Sequence, residues 1–508
     1  MAGSGLRAAC GIVSAGLALG IAELVAVPIA AGSAPMTALG STVIDHTPAD
    51  LREWTISTFG TGDKTVLFIA MGVVAVLAAA IAGLVERPAR PLGSVILAGF
   101  GVVVVVAALG RPGAGWTWAL PTVVGVVAAI AVLRVLVRRA AVPAVDTDAE
   151  TGGAQFDRRR IVRGIAGVGV AAAVSGFLGR ALGTRVHSVA SERAQVRLPP
   201  PAAPAPPVDP AADLRIPDLA PYLTGNDDFY RIDTALSLPQ VGTEDWSLRI
   251  HGMVDREIRL SYADLSGRRS VERLVTLTCV SNPVGGDLIG NASWLGYRLD
   301  ELLAEAGPHP DADMVLSHSI DGFTAGSPLA TLTDGRDALL AVGMNGQPLP
   351  VEHGYPARLV VPGLYGYVSA TKWVTELEIT RFDRAQAYWT ERGWSARGPI
   401  KTGTRIDTPR GRVAAGRVTV AGVAWAQHRG INAVEVQIDD GPWQSAQLAA
   451  EPSVDTWRQW RFDWDAAAGN HTVRARATDG SGAVQTAEVA DVVPDGASGY
   501  PARMVRVG

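Results

Sequence analysis

The chain has 508 residues, 48% of them hydrophobic, and a formal net charge of −4. It is too long for one ordinary domain and too apolar for a wholly soluble protein, and with no strongly basic domain it is not built for nucleic acid. Its two cysteines, Cys10 and Cys279, do not form a disulfide framework, because Cys10 opens a membrane-like segment.

Five apolar stretches, roughly 10–31, 65–85, 92–110, 116–137 and 161–179, approach the length of about 20 residues that crosses a bilayer. They define an N-terminal α-helical membrane bundle over residues 1–185. If the spans alternate, Arg7, Arg87, Arg90, Arg134, Arg138, Arg139 and the run Arg158-Arg159-Arg160 with Arg163 all fall on one side. Basic residues mark the cytoplasmic side. The N-terminus is therefore cytoplasmic, and all that follows the fifth span is outside. The run from Asp157 to Arg163 reads equally as a twin-arginine export signal placed internally or as an ordinary positive-inside anchor, and both give one topology. No span carries a histidine and there is no C-x-x-C-H motif, so this half is an anchor and electrons pass through another protein or a quinone. A transporter is disfavoured, because paired charges and broken segments in corresponding positions are missing from the sequence.

Residues 186–212 form a proline-rich linker, with Leu198–Pro210 (LPPPAAPAPPVDP) extended and stiff. A domain over 213–405 follows. It opens with polar residues interleaved with aromatics, Asn226 to Thr234. Arg273 to Cys279 is an apolar, β-branched run that predicts a buried strand. After it come the turn-forming residues Ser281-Asn282-Pro283 and Gly285-Gly286. A lone thiol on a strand-end loop is placed like a metal ligand or a nucleophile, and a buried structural cysteine is the competing reading. Leu299 to Ala306 has helical spacing with Gly307 as its stop. Asp313 to Ser319 reads as a strand entering an Asp321-Gly322 turn, and Asn345-Gly346 as a hairpin turn. In the stretch His353 to Trp373, Arg358 and Lys372 supply positive charge, while small residues at 366 and 369–371 let backbone N–H groups face oxygens. That suits a phosphate-bearing ligand, with a surface charge pair as the alternative. Over 411–508, Val418-Val420, Val434-Val436-Ile438, Trp460-Phe462-Trp464 and Val473-Ala475-Ala477 alternate between turns, which predicts an immunoglobulin-like β-sandwich with packing tryptophans.

The segment RLVTLTCVSNPVGGDLIGNASWLGYRL, Arg273 to Leu299, resembles the molybdenum-binding loop of the sulfite oxidase family of molybdopterin enzymes, especially its bacterial membrane-anchored branch. The H-G-x-P-x-R and K-W motifs around His353, Arg358 and Lys372-Trp373 match the same family, as do V-x-G-V-A-W and W-x-x-W in the last domain. The likeness runs from about Phe229 to Glu488. It implies an α+β molybdopterin domain in which Cys279 ligates molybdenum. It also implies that Tyr230 and Arg231 contact the pterin and its phosphate, that Ser281 and Asn282 lie on the cofactor loop, and that His353 and Arg358 bind the phosphate region while Ser369, Thr371 and Lys372 close over it. Asp321 falls beside the metal pocket, so Cys279, Arg231 and Asp321 form the candidate catalytic set. The last domain corresponds to one that in relatives often makes a homodimer contact.

One departure matters. Eukaryotic sulfite-oxidising members carry basic residues just after the metal cysteine, whereas Asn282 to Gly286 has none and the next cation is Arg298. Arg231 and Arg397 are the remaining candidates for gripping an anion. The expectation is therefore a membrane-anchored molybdenum and molybdopterin oxidoreductase, moving an oxygen atom to or from a small sulfur- or nitrogen-containing substrate outside the cytoplasm. Its direction, sulfite oxidation or reduction of an S- or N-oxide, stays open. The alternative from another class is a non-catalytic tethered binding or adhesion module that keeps the fold without the metal.

Overall fold

A computed structural model describes residues 4–48, 51, 54–55, 58–59, 62–141, 158–186 and 188–508. Asp157, which opens the arginine-rich run, and His187 lie outside these described residues. The chain divides into one unit of Met1–Ser188 with Ala235–Gln240, and a second of Val189–Thr234 with Val241–Gly508.

Among the described residues of the first unit five helices are long and apolar enough to cross a membrane. They are α1 (Ser4–Ala26), α3 (Asp63–Val85), α4 (Leu92–Leu109), α5 (Leu120–Ala141) and α6 (Arg158–Val186). A shorter helix, α2 (Pro35–His46), forms between the first and second of these. α1 ends several residues before the apolar stretch does, because the chain turns at Val27–Ile29 around Pro28, which has no N–H to offer a helix. α1 packs against α3, α5 and α6. Glycines sit at these crossings: a Cβ on Gly11 would collide with the Ala79 carbonyl, one on Gly20 with the Ser175 hydroxyl, and one on Gly125 with the Ala18 carbonyl. Close backbone approach of this kind is how apolar helices gain packing energy without a hydrophobic driving force between them.

The second unit holds four sheets. One has the order β2 (Ile258–Ser261), β1 (Ser247–Gly252), β10 (Val374–Thr380), β5 (Met314–Ser319), β6 (Thr324–Pro328), antiparallel except for the β1–β10 pair. Another runs β3 (Val271–Thr278), β4 (Ile289–Arg298), β7 (Leu339–Met344), β8 (Gln347–Pro348), and β7 also pairs with β9 (Arg358–Val360). The chain between β4 and β5 forms α7 (Leu299–Ala306), which Gly307 ends in the left-handed region as its position predicts. The C-terminal part has two sheets, β11 (Gly403–Thr408), β13 (Gly416–Trp425), β17 (Arg458–Ala466), β16 (Gln447–Leu448) and β12 (Arg412–Val413), β19 (Ala502–Val507), β18 (Gly469–Asp479), β14 (Ile431–Ile438), β15 (Gln444–Ser445). Val420 and Trp460 of the first meet Val434, Val436, Val473 and Ala475 of the second in a shared core, so these sheets face one another. β13 is buried on both sides toward its end: Val423 and Trp425 join the core built around β1, β5 and β10.

The proline-rich stretch is extended but does not run free. Ala202 N–H donates to Ser270 O at 2.8 Å, Glu272 N–H to Ala203 O at 2.9 Å, and Leu198, Ala205 and Val208 pack on the main core. Proline stiffness leaves this strip straight, and the non-proline residues between supply what the edge of β3 needs.

Candidate cofactor site

Cys279 is placed by the strand before it and the loop after it. β3 is buried from Leu274 onward and pairs with β4 through its whole length, from Val271 opposite Gly296 to Thr278 opposite Ile289. Cys279 N–H then donates to Leu288 O at 2.9 Å, Asn282 N–H to Cys279 O at 3.1 Å, and Leu288 N–H to the Asn282 side-chain oxygen at 2.9 Å. The loop is thus closed on itself, with Asn282 as its brace. Gly286 is required, because a Cβ there would strike the Asn282 side chain. The thiol is half-buried; burial pushes its pKa up, against hydrogen bonds from the Ser281 backbone and hydroxyl.

Cys279 lines a cleft that the cationic side chains of Arg358 and Lys372 also line. The buried Arg358 guanidinium donates to His353 O at 3.1 Å and Ala370 O at 3.3 Å, and lies over the Trp294 ring at 5.1 Å. Lys372 Nζ lies 2.9 Å from Asp233 Oδ2 and donates to Glu352 O at 3.1 Å. Gly354 brings the two cations together: its φ is +108°, and a Cβ there would sit 3.0 Å from the Arg358 Cβ and 3.1 Å from the Lys372 Cβ. Burial pulls Lys372 down to about 8, in spite of Asp233, and Arg358 down to about 10. Buried positive charge held at this cost favours an anionic ligand. Burial and the neighbouring Arg358 also lower His353 to about 4, so its imidazole is neutral at pH 7. Its Nε2 lies 3.0 Å from the Asn226 carbonyl and must be the donor, which leaves Nδ1 unprotonated.

Of the residues singled out from the sequence, Tyr230, Cys279, Ser281, Asp321, Arg358 and Lys372 line this cleft. Burial holds the Tyr230 phenol far above its ordinary range. The others stand elsewhere. Arg231 is 43% exposed and pairs with Asp233 at 2.8 Å. Asn282 lines a different cleft behind the loop. His353 stands behind Arg358, its carbonyl accepting from the guanidinium. The buried Ser369 hydroxyl donates to Tyr365 O at 2.9 Å, and the buried Thr371 hydroxyl lies 2.7 Å from that of Ser317, so both are satisfied within the fold. Arg397 is exposed and lies over the Phe382 ring at 5.2 Å.

Sequence reading passed over Asp233, Ser319, Trp389 and Trp394, all of which line the cleft. Asp233 was visible only as part of a polar loop. Ser319 ends a strand that sequence does predict, and its buried Oγ has no hydrogen-bond partner among the described residues. Trp389 and Trp394 meet edge-to-face with centroids 6.2 Å apart, and Trp394 lies 5.8 Å from Tyr367. Among the described residues no group of three or more His, Cys, Asp and Glu gathers to hold a metal. A metal beside Cys279 must therefore bring most of its own ligands.

Residues 235–389 match the family described as oxidoreductase molybdopterin binding domain. The chain is 28% identical over 323 residues to mitochondrial sulfite oxidase of Homo sapiens, covering 53% of this chain and 58% of that one. It is 33% identical over 153 residues to the uncharacterized oxidoreductase YuiH of Bacillus subtilis (strain 168), covering 30% of this chain and 74% of YuiH. The crystal structure of the sulfane dehydrogenase SoxCD from Paracoccus pantotrophus shares the fold, with a TM-score of 0.50, 23% identity, and coverage of 56% of this chain and 82% of that one. The chain spans little more than half the length of the mammalian sulfite oxidases it matches. With its thiol loop and cationic wall in the matching region, the chain belongs to the sulfite oxidase family of molybdopterin-dependent oxidoreductases.

Proposed function

We propose that this chain is a membrane-anchored molybdenum-cofactor enzyme that moves an oxygen atom to or from a small sulfur- or nitrogen-containing substrate outside the cytoplasm. The observation that carries this reading is the placement of the Cys279 thiol in one cleft with the buried cations of Arg358 and Lys372. The residues present fit the group: a single thiol suits a metal already held by a sulfur-rich pterin, the cations suit its phosphate, and the unpartnered Ser319 hydroxyl offers one more donor. The bound cofactor supplies the two-electron chemistry. Cys279 would hold the metal as a thiolate, with coordination outweighing the burial that raises its pKa. Arg358 and Lys372 would hold the phosphate, and Trp389 with Trp394 would narrow the access of water.

Only two cations, Arg358 and Lys372, line the cleft among the described residues, and both are used by a phosphate in this reading. A dianion such as sulfite is left without a grip of its own, which favours reduction of an uncharged S- or N-oxide. Five apolar helices with basic residues at their ends support the anchor and its topology. None of the five contains histidine, which supports electron delivery by a separate protein or a quinone. The paired C-terminal sheets suit an immunoglobulin-like sandwich and a homodimer contact. The test is metal and pterin analysis of the purified protein, followed by dye-linked assays of sulfite oxidation and sulfoxide reduction. We expect about one molybdenum and one pterin per chain, with sulfoxide reduction the stronger activity. Protein without either component, or Cys279→Ala protein with full activity, overturns the reading.

A further inference from the structure

We infer that Gln427 is a positioning residue for Cys279, by which the C-terminal sheets hold the strand end that carries the thiol; this rests on reading Cys279 as the metal ligand. β3 is the edge strand of its sheet, with β4 on one side only. Its other side is met at the start by the proline-rich stretch and toward its end by the C-terminal part. Thr276 N–H donates to Asp455 O at 2.9 Å, and Trp457 N–H donates to the Thr276 hydroxyl at 2.8 Å. Gln427, fully buried just beyond β13, donates from Nε2 to Thr276 O at 3.1 Å and to the Thr278 hydroxyl at 2.9 Å. Thr278 is the last residue of β3 and the one before Cys279.

The other half of the Gln427 amide gives the reason to assign it a positioning role. Its Oε1 is buried and has no hydrogen-bond partner among the described residues. An unmet buried acceptor destabilises a fold, and a methionine of similar shape would avoid it. The amide is therefore there for its two N–H bonds, which hold Thr276 and Thr278 in place. Groups that orient a metal ligand without touching the metal commonly govern affinity and activity about 10- to 100-fold.

The test uses the full-length holoenzyme and the variants Gln427→Met, Thr278→Val and their double. Gln427→Met removes the unmet acceptor but leaves the buried Thr276 carbonyl without its donor, so the two effects oppose and its melting temperature is expected to stay close to the parent's. It should nonetheless lose molybdenum to a chelator about 10- to 100-fold faster and shift the paramagnetic resonance signal of the half-reduced metal. Thr278→Val, which removes only the second partner, should shift the signal the same way, and the double should be no worse than Gln427→Met alone. A lower melting temperature with an unshifted signal and unchanged metal retention would make Gln427 a packing residue only and overturn the inference. Cys279→Ala separates the two readings. If it too leaves signal and metal unchanged, the ligand assignment itself falls; if it alters them while Gln427→Met and Thr278→Val do not, only the positioning role falls.

Discussion

Replacing Lys372 by methionine separates what the cofactor site costs the fold from what it gives the ligand. The Lys372 side chain is 10% exposed, and burial lowers its pKa from 10.5 to about 8 even with Asp233 at 2.9 Å. The unfolded chain keeps this lysine charged up to about pH 10.4, so between about 8 and 10.4 the unfolded state binds more protons than the folded one. Stability of the cofactor-free protein therefore rises with pH across that window, and the whole penalty is present below it. From 10.5 to about 8, at about 1.4 kcal/mol per pH unit, the penalty is about 3.5 kcal/mol at pH 7. Methionine removes it without stranding Asp233, which keeps Arg231 at 2.8 Å. Cofactor-free Lys372→Met should thus be up to about 3.5 kcal/mol more stable than the parent at pH 7, with the gain gone by about pH 10. One lost charge-assisted contact, about 1.5–3 kcal/mol, should also weaken pterin retention about 10- to 100-fold. Denaturant titrations at the two pH values, with pterin content of the loaded protein, measure both. A variant that is less stable at pH 7, or that retains pterin as the parent does, would refute the reasoning.

Gly354→Ala puts a side chain at φ +108° between the Cβ atoms of Arg358 and Lys372. It should cost about 1–3 kcal/mol in denaturant titration and lower pterin content by parting the two cations. Cys279→Ala should leave a folded protein of parental melting temperature with no dye-linked activity. Burial would raise the Asp479 pKa, but hydrogen bonds from Ser481, Arg429, Thr402 and the Ala483 N–H bring it down to about 2. Its folded pKa lies below the unfolded value of about 3.9, so it contributes about 2.6 kcal/mol that is present above pH 4 and lost as pH falls through 2. Asp479→Asn should remove that contribution at pH 7 and flatten the acid limb of the unfolding midpoint against pH.

The strand that carries Cys279 and the turn after it were legible because both signals are local: an apolar β-branched run, then Pro283 and a glycine pair. The five apolar helices were legible for the same reason. What local pattern does not contain is partnership across the chain. Lys372 and Asp233 are 139 residues apart in sequence and meet only in the fold. Ser369 and Thr371 look like ligand donors in sequence, yet their hydroxyls are spent on Tyr365 and Ser317. Trp389 and Trp394 reach the cleft from the chain after β10, where sequence offered no periodicity to interpret. The proline-rich stretch shows the same limit, since composition sets its stiffness but not the strand edge it covers.

The most direct test of the central claim is X-ray absorption at the molybdenum edge, measured on the holoenzyme and on Cys279→Ser protein loaded in the same way. One fewer sulfur neighbour at the metal in the serine variant is the expected result. An unchanged sulfur shell would contradict it, because the thiol that ends β3 would then stand in the cleft without touching the metal.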